Sequence, residues 1–266
     1  MLEKWLIALD LDGTLFHTDH QISVRTTNTL LKVAELGHQI VIITGRSSHS
    51  SVPRLHSVPV GTRVLCSNGA YEYDRHNQGV VWSSMLPASS AVDIHRKIQH
   101  RLPTASFGWE SMSGLSYEQK FMDEAGGAHT LEQGGVSEPI GRVDIFKLFV
   151  RTPEHKGGAL AGVLQELFGS ELEISSSGVP FVEITAAGTN KGTALAKTAS
   201  NLGFEADLTM AFGDNLNDVP MLQWASESVA MGNAISEIQS IASAHAKSNA
   251  EDGVARYLEN KFLDGR

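Results

Sequence analysis

The chain of 266 residues contains a single cysteine, Cys66, so no internal disulfide can form. A lone cysteine fits a reducing compartment, and the sequence is expected to be that of a cytoplasmic protein. No Cys pair accompanies the 11 histidines, which argues against a zinc cluster. A basic surplus is also missing: 21 Lys and Arg stand against 30 Asp and Glu, for a formal net charge of −9. Proteins that bind nucleic acid through its phosphate backbone need a basic stripe, so nucleic acid is not an expected partner. The deficit does not exclude a small anionic ligand, which a few local cations and a metal can hold. No apolar run approaches the roughly 20 residues of a membrane span. The first segment, MLEKWLIALDLDGT, is apolar only briefly and is interrupted by aspartates. No G-x-G-x-x-G follows the first apolar run, which removes the main support for a dinucleotide-binding oxidoreductase.

The composition, 41% apolar and 19% charged, is that of a globular protein long enough for two lobes. Residues 5–9 form an apolar run that ends in Asp10 and a glycine turn, as a buried strand does. Ser23 can cap a helix running to Leu36, and Gly37 ends it before the β-rich run 39–43. A further strand is expected at 63–66, with a hairpin around Asn77 and Gly79. A helix over 88–101 follows, whereas 103–143 shows no clear period. Strands are expected at 145–150, 171–174 and 181–184, with a helix over 154–168. Alternation then resumes with helices over 191–202, 217–224 and 251–260 and strands at 208–211 and 228–230.

This order predicts an α/β fold whose Rossmann-like parallel-sheet core is formed by both ends of the chain, residues 1–83 and 188–266. A smaller α/β cap is expected to be inserted at 84–187, with hinges at Leu86-Pro87 and Ala187-Gly188.

Four short segments fall just past the carboxyl ends of expected core strands, where open parallel sheets bind ligands. They are Asp10-Leu11-Asp12-Gly13-Thr14, Ile43-Thr44-Gly45-Arg46, Thr189-Asn190-Lys191-Gly192 and Gly213-Asp214-Asn215-Leu216-Asn217-Asp218. Asp10 and Asp12 lie among leucines, where an unpaired charge is costly, and at i, i+2 on a strand they also repel each other. Asp214 and Asp218 add a second pair. A hard divalent cation relieves both, and an all-oxygen ligand set points to Mg²⁺. Thr44 can hydrogen-bond a phosphate oxygen, helped by the backbone at Gly45. Lys191 stands at the start of a helix, where a cation opposes the helix dipole; neutralising phosphate and steadying a carboxylate would justify it. Taken singly, each segment is also a plausible turn, cap or solvated charge; the case rests on all four together.

These four segments resemble the four motifs of the haloacid dehalogenase superfamily, in the expected order. Ser67-Asn68-Gly69-Ala70, the stretch at 181–195 and the terminal EDGVARYL extend the likeness to Cof-type phosphatases, which carry a large C2-type cap. The resemblance is specific over 1–83 and 180–266; over the stretch between, it is one of length and position. It implies that Asp10 is the nucleophile, forming an aspartyl-phosphate, and that Asp12 is the general acid and base. It further implies that Thr44 and Lys191 hold the transferring phosphoryl group, with Leu11, Gly45 and Asn217 among the phosphate contacts. Mg²⁺ would be bound by Asp10, Asp12 through its carbonyl, and Asp214, with Asp218 at or near the metal. The substrate implied is a small phosphorylated metabolite, with sugar phosphates first.

Other residues stay open at this point. Arg46 can reach substrate or form an ion pair, and Asn68 reads as a turn residue with an occasional substrate contact. Trp109, Met112 and Tyr117 can line a cap pocket or pack in a core; Glu183 can meet substrate or pair internally. A phosphomutase uses the same core chemistry, and a non-catalytic phospho-ligand sensor would keep the pocket. A dehalogenase has no leaving-group oxygen to protonate and hence no need for Asp12.

Overall fold

The computed structural model describes residues 3–58, 61–124, 138–176 and 180–264. The chain divides into two compact units: Met1–Trp82 with Asn190–Arg266, and the inserted Ser83–Thr189.

The first unit begins with β1 (Leu6–Asp10), α1 (Val24–Glu35), β2 (Gln39–Ile43), α2 (Ser48–Arg54) and β3 (Arg63–Cys66), followed by the hairpin strands β4 (Tyr71–Asp74) and β5 (Gly79–Ser83). The inserted unit contributes α3 (Ala88–Arg101), β6 (Ser106–Ser111), β7 (Gly114–Tyr117), α4 (Gln119–Glu124), β8 (Ile145–Arg151), α5 (Gly158–Phe168), β9 (Leu172–Ser175) and β10 (Val182–Ala186). The chain then returns through α6 (Lys191–Leu202), β11 (Thr209–Gly213), α7 (Val219–Trp224), β12 (Glu227–Ala230), α8 (Ser236–Ile241), β13 (Ala244–His245) and α9 (Gly253–Leu258).

The sheet of the first unit has the order β13-β12-β11-β1-β2-β3-β4-β5. It is parallel from β13 to β3, and β4 joins β3 antiparallel. β1 lies between β2 and β11, and all five of its residues are buried. Its leucines and isoleucine cannot alternate with polar residues because helices cover both faces of such a sheet. Each fully buried side chain of this kind contributes about 1.5–3 kcal/mol, so the strand that carries Asp10 is held firmly. Leu6, Ala8, Val41, Ile43 and Leu65 pack with Leu195, Ala199, Met221 and Leu222 of α6 and α7 in one cluster. Ser23 is the N-cap of α1, its side chain accepting from the Thr26 N–H at 3.0 Å. The helix α2, rich in serine and containing Pro53, has no apolar period to mark it in the sequence.

The inserted unit is a five-stranded sheet in the order β7-β6-β8-β10-β9, antiparallel throughout. Ile94, Ile98, Leu160, Leu164 and Phe168 of α3 and α5 pack on Phe107, Trp109, Leu148, Val150, Val182 and Ile184 of the strands. Trp109 is therefore a core residue. Tyr117 stacks on Phe121 with ring centroids 5.5 Å apart, and Met112 is 58% exposed. Glu183 is buried and pairs with Lys147 at 2.7 Å, which decides between its two readings in favour of an internal pair. The segment 103–143, which shows no clear period in sequence, holds β6, β7 and α4; residues 125–137 of it lie outside the described residues. No helix among the described residues is long and apolar enough to cross a membrane.

Candidate active site

At the carboxyl end of β1 the chain turns sharply. The Leu11 carbonyl accepts from the N–H groups of Thr14, Leu15 and Phe16 at 3.3, 3.0 and 2.8 Å. Leu11 is fully buried, its side chain in the core. Gly13 takes φ 83°, and a Cβ there would lie 2.3 Å from Asp214 Oδ2. Glycine is thus required both by the backbone and by the approach of the loop after β11.

The Lys191 side chain is fully buried, with Nζ 2.6 Å from Asp10 Oδ1 and 2.5 Å from Asp218 Oδ1. Asn190 caps α6 and accepts from the N–H groups of Gly192 and Thr193, in a capping box closed by the Thr193 side chain. The cation that opposes the helix dipole at this terminus is therefore neutralised by two carboxylates. Asp218 is fully spoken for: its second oxygen accepts from the backbone N–H groups of Asp214 and Asn215 at 2.9 and 3.0 Å. Asp214 accepts from the Thr14 hydroxyl at 3.2 Å.

Asp12 does not join this cluster through its side chain. Arg46 holds its carboxylate with Nε and Nη2, at 2.6 and 2.7 Å. Thr44 is buried, and its Oγ1 accepts from the Arg46 N–H at 3.1 Å, which turns the hydroxyl proton away to serve as a donor. Asn217 donates from Nδ2 to Asn68 Oδ1 at 3.1 Å, beside Gly45.

Electrostatics single out the same cluster. Burial raises the Asp10 carboxyl well above its ordinary pKa; Lys191 opposes this, while Asp218, Asp214 and Asp12 add to it. Asp214 is pushed up to about 7, by burial first and then by Asp218. Burial works to lower the Lys191 ammonium, but Asp10 and Asp218 outweigh it and hold the pKa above its ordinary value. Four carboxylates (Asp10, Asp12, Asp214 and Asp218) face two cations, Lys191 and Arg46, leaving a deficit of two charges. Oxygens of Asp10, Asp214 and Asp218 lie within 4.8 Å of one another, so the group fits a hard divalent cation in charge and in donor chemistry. Because Asp218 already serves Lys191 and two amides, Asp10 and Asp214 are the better ligands.

Two residues with no motif signal in the sequence, Asn233 and Asn249, brace the loop that follows β1. Asn233 Nδ2 donates to the Gly13 carbonyl at 2.8 Å, and Asn233 Oδ1 accepts from the Asn249 N–H at 2.9 Å. Asn249 Nδ2 in turn donates to the Phe16 carbonyl at 2.7 Å. Lone asparagines in loops carry no periodic signal, so only the fold reveals them.

Residues 7–258 match a family described as haloacid dehalogenase-like hydrolase. The chain is 28% identical to the 5-amino-6-(5-phospho-D-ribitylamino)uracil phosphatase YitU of Bacillus subtilis, over 98% of each chain. It is 27% identical to the pyridoxal phosphate phosphatase YbhA of Escherichia coli, over 97% of this chain and 98% of that one. Among solved structures, a phosphatase of the haloalkanoate superfamily from Bacteroides thetaiotaomicron superposes with a TM-score of 0.81 at 27% identity, covering 97% of this chain and 94% of the other. The chain belongs to the haloacid dehalogenase-like hydrolases.

Proposed function

We propose that the protein is a magnesium-dependent phosphatase of small phosphorylated metabolites, working through an aspartyl-phosphate on Asp10. The observation that carries this reading is the buried Lys191 bridging Asp10 and Asp218 beside Asp214. A lysine so placed fixes one oxygen of the Asp10 carboxylate and offers positive charge where a phosphoryl group would arrive.

In the first step Asp10 forms a bond to phosphorus while the bond from phosphorus to the leaving oxygen breaks, and Asp12 gives that oxygen its proton. In the second, water adds to phosphorus, the bond to Asp10 breaks, and Asp12 takes the proton released by the water. Thr44, Lys191, Asn217 and the backbone of Leu11 and Gly45 hold the phosphoryl oxygens. Magnesium, held by Asp10, the Asp12 carbonyl and Asp214, would supply charge neutralisation there. The demand is large, since enzymes accelerate monoester hydrolysis by up to about 10²¹-fold.

The inserted unit is assigned the choice of substrate in this proposal, and sugar or polyol phosphates head the candidates. The named substrate of the Bacillus subtilis relative carries a phosphorylated ribityl chain, and that of the Escherichia coli relative is pyridoxal phosphate. A cytoplasmic setting is part of the same reading, in keeping with Cys66, a buried thiol that forms no disulfide. Release of inorganic phosphate across a panel of sugar, polyol, nucleotide and pyridoxal phosphates tests it. Activity with Mg²⁺ on at least one of them is expected, and none on any member would overturn the reading.

A further inference from the structure

Three consecutive residues after β3 have left-handed backbones: Ser67 at φ 52°, Asn68 at 57° and Gly69 at 92°. Residues with side chains seldom adopt that region, though asparagine enters it more readily than most. The turn is buried and braced against the other loops of the site. The Ser67 N–H donates to the Arg46 carbonyl at 2.9 Å and the Asn68 N–H to the Thr44 carbonyl at 3.0 Å. At Gly69 a Cβ would lie 2.6 Å from the Asn190 carbonyl oxygen, so the turn presses on the first turn of α6. The Asn68 side chain makes a further link, accepting from Asn217 at 3.1 Å. This pair lies over Gly45, where a Cβ would come within 3.1 Å of Asn68 Oδ1 and 3.8 Å of Asn217 Nδ2.

An amide side chain has a donor end and an acceptor end, and a half-turn exchanges them at little cost in shape. In one orientation Asn217 turns its NH₂ toward the Thr44–Gly45 loop; in the other it turns a carbonyl oxygen that would repel a phosphate oxyanion. The bond to Asn68 Oδ1 is made only by the first. We propose that Asn68 is a positioning residue, which fixes the Asn217 amide with its donor end toward the phosphate, and that the left-handed turn serves to hold it there.

Asn68→Gly tests this cleanly, because glycine keeps the left-handed turn and removes only the amide. Inorganic phosphate is titrated calorimetrically, with Mg²⁺ present, into the wild type, Asn68→Gly, Asn217→Ala and the double variant. Hydrolysis of p-nitrophenyl phosphate is followed in parallel. Asn68→Gly should weaken phosphate binding and raise KM about tenfold, as loss of one hydrogen bond to a charged group does. The kcat should change by less than about threefold and Tm should hold or rise. The double variant should bind phosphate no more weakly than Asn217→Ala, because Asn68 acts through Asn217. Wild-type phosphate affinity in Asn68→Gly, or losses that multiply in the double variant, would overturn the inference. It rests on the phosphatase reading, yet binding is measured without turnover. A wild type that binds phosphate but hydrolyses nothing sinks that reading and leaves the comparison of affinities to decide this one; a wild type that binds no phosphate sinks both.

Discussion

Arg46 grips Asp12 with a two-pronged fork, Nε on one carboxylate oxygen and Nη2 on the other, at 2.6 and 2.7 Å. The remaining guanidinium nitrogen donates to Ser50 Oγ on α2 at 3.3 Å, and Arg54 donates to the same oxygen at 2.9 Å. The proposed acid–base group is thus aimed by a residue anchored on a neighbouring helix. The Asp12 side chain is 42% exposed, so the pair contributes little to stability and its value lies in geometry.

Replacing Arg46 by Lys keeps the charge but loses the fork. General acid catalysis is worth about 10²–10⁴-fold, and a leaving group that departs readily as an anion needs little of it. Arg46→Lys should therefore lower kcat/KM for an alkyl phosphate by about 10-fold or more while p-nitrophenyl phosphate loses much less. Steady-state kinetics with both substrates decide the matter. Equal losses on the two would mean that Arg46 supports binding or folding and does not aim Asp12.

Asp10 and Asp218 share Lys191 but differ in what else they do. Asp218 also accepts from two backbone amides, whereas Asp10 is the proposed nucleophile. Asp10→Asn should abolish turnover and leave a folded protein. Asp218→Asn should cost stability as well, because removing one partner of a buried pair typically costs about 3–5 kcal/mol. Thermal melts and phosphate release on both variants check this; appreciable turnover by Asp10→Asn would refute the nucleophile assignment.

The Asp214 carboxyl is pushed up to about 7 by burial and by Asp218. A cation bound there must displace that proton, so the apparent affinity for Mg²⁺ should rise as pH increases through about 7. Chelation with EDTA should stop hydrolysis and added Mg²⁺ should restore it. Calorimetric titration of Mg²⁺ between pH 6 and 8, set up at about one-unit intervals around the carboxyl's shifted value, reads the slope. A flat or falling affinity, or hydrolysis that survives EDTA, would contradict the proposed ligand role of Asp214.

The strand ends that carry Asp10, Thr44 and Asp214 were legible in the sequence because β1, β2 and β11 are buried on both faces and read as unbroken apolar runs. Lys191 was legible for the opposite reason: a cation at a helix start needs a partner, and Asp10 and Asp218 are that partner. The inserted unit was harder. All six residues of β6 are buried, yet they include Ser106, Gly108, Glu110 and Ser111, so neither alternation nor an apolar run marks the strand. In α2 serines and Pro53 replace the usual apolar stripe. Asn233 and Asn249 act through hydrogen bonds that cross the fold to the loop after β1, which no spacing rule can anticipate.

Asp252 offers a test of the scaffold away from the chemistry. It stands in a left-handed turn at φ 58°, and its Oδ1 accepts from Ser23 Oγ at 2.5 Å and lies 3.0 Å from His17 Nε2. The residue before α9 is thereby tied to the N-cap of α1. Burial pushes the Asp252 carboxyl up, but the hydrogen bonds from Ser23 and His17 outweigh it and hold the pKa below its ordinary 3.8. A carboxylate depressed by folding stabilises the protein above its ordinary pKa, and that stability is lost as pH falls through the lowered value. Asp252→Asn preserves size and tolerates the left-handed turn. Allowing for partial exposure, the substitution should cost about 1 kcal/mol at pH 7, or about 2–4 °C in Tm for a chain of this size. The gap should narrow as the pH falls below 3.8 toward the lowered value, where the folded wild-type carboxyl also becomes protonated. Melting curves of both proteins at neutral and acid pH provide the check. Equal Tm at pH 7, or a gap that stays constant into acid, would show that the charge on Asp252 does not hold the two segments together.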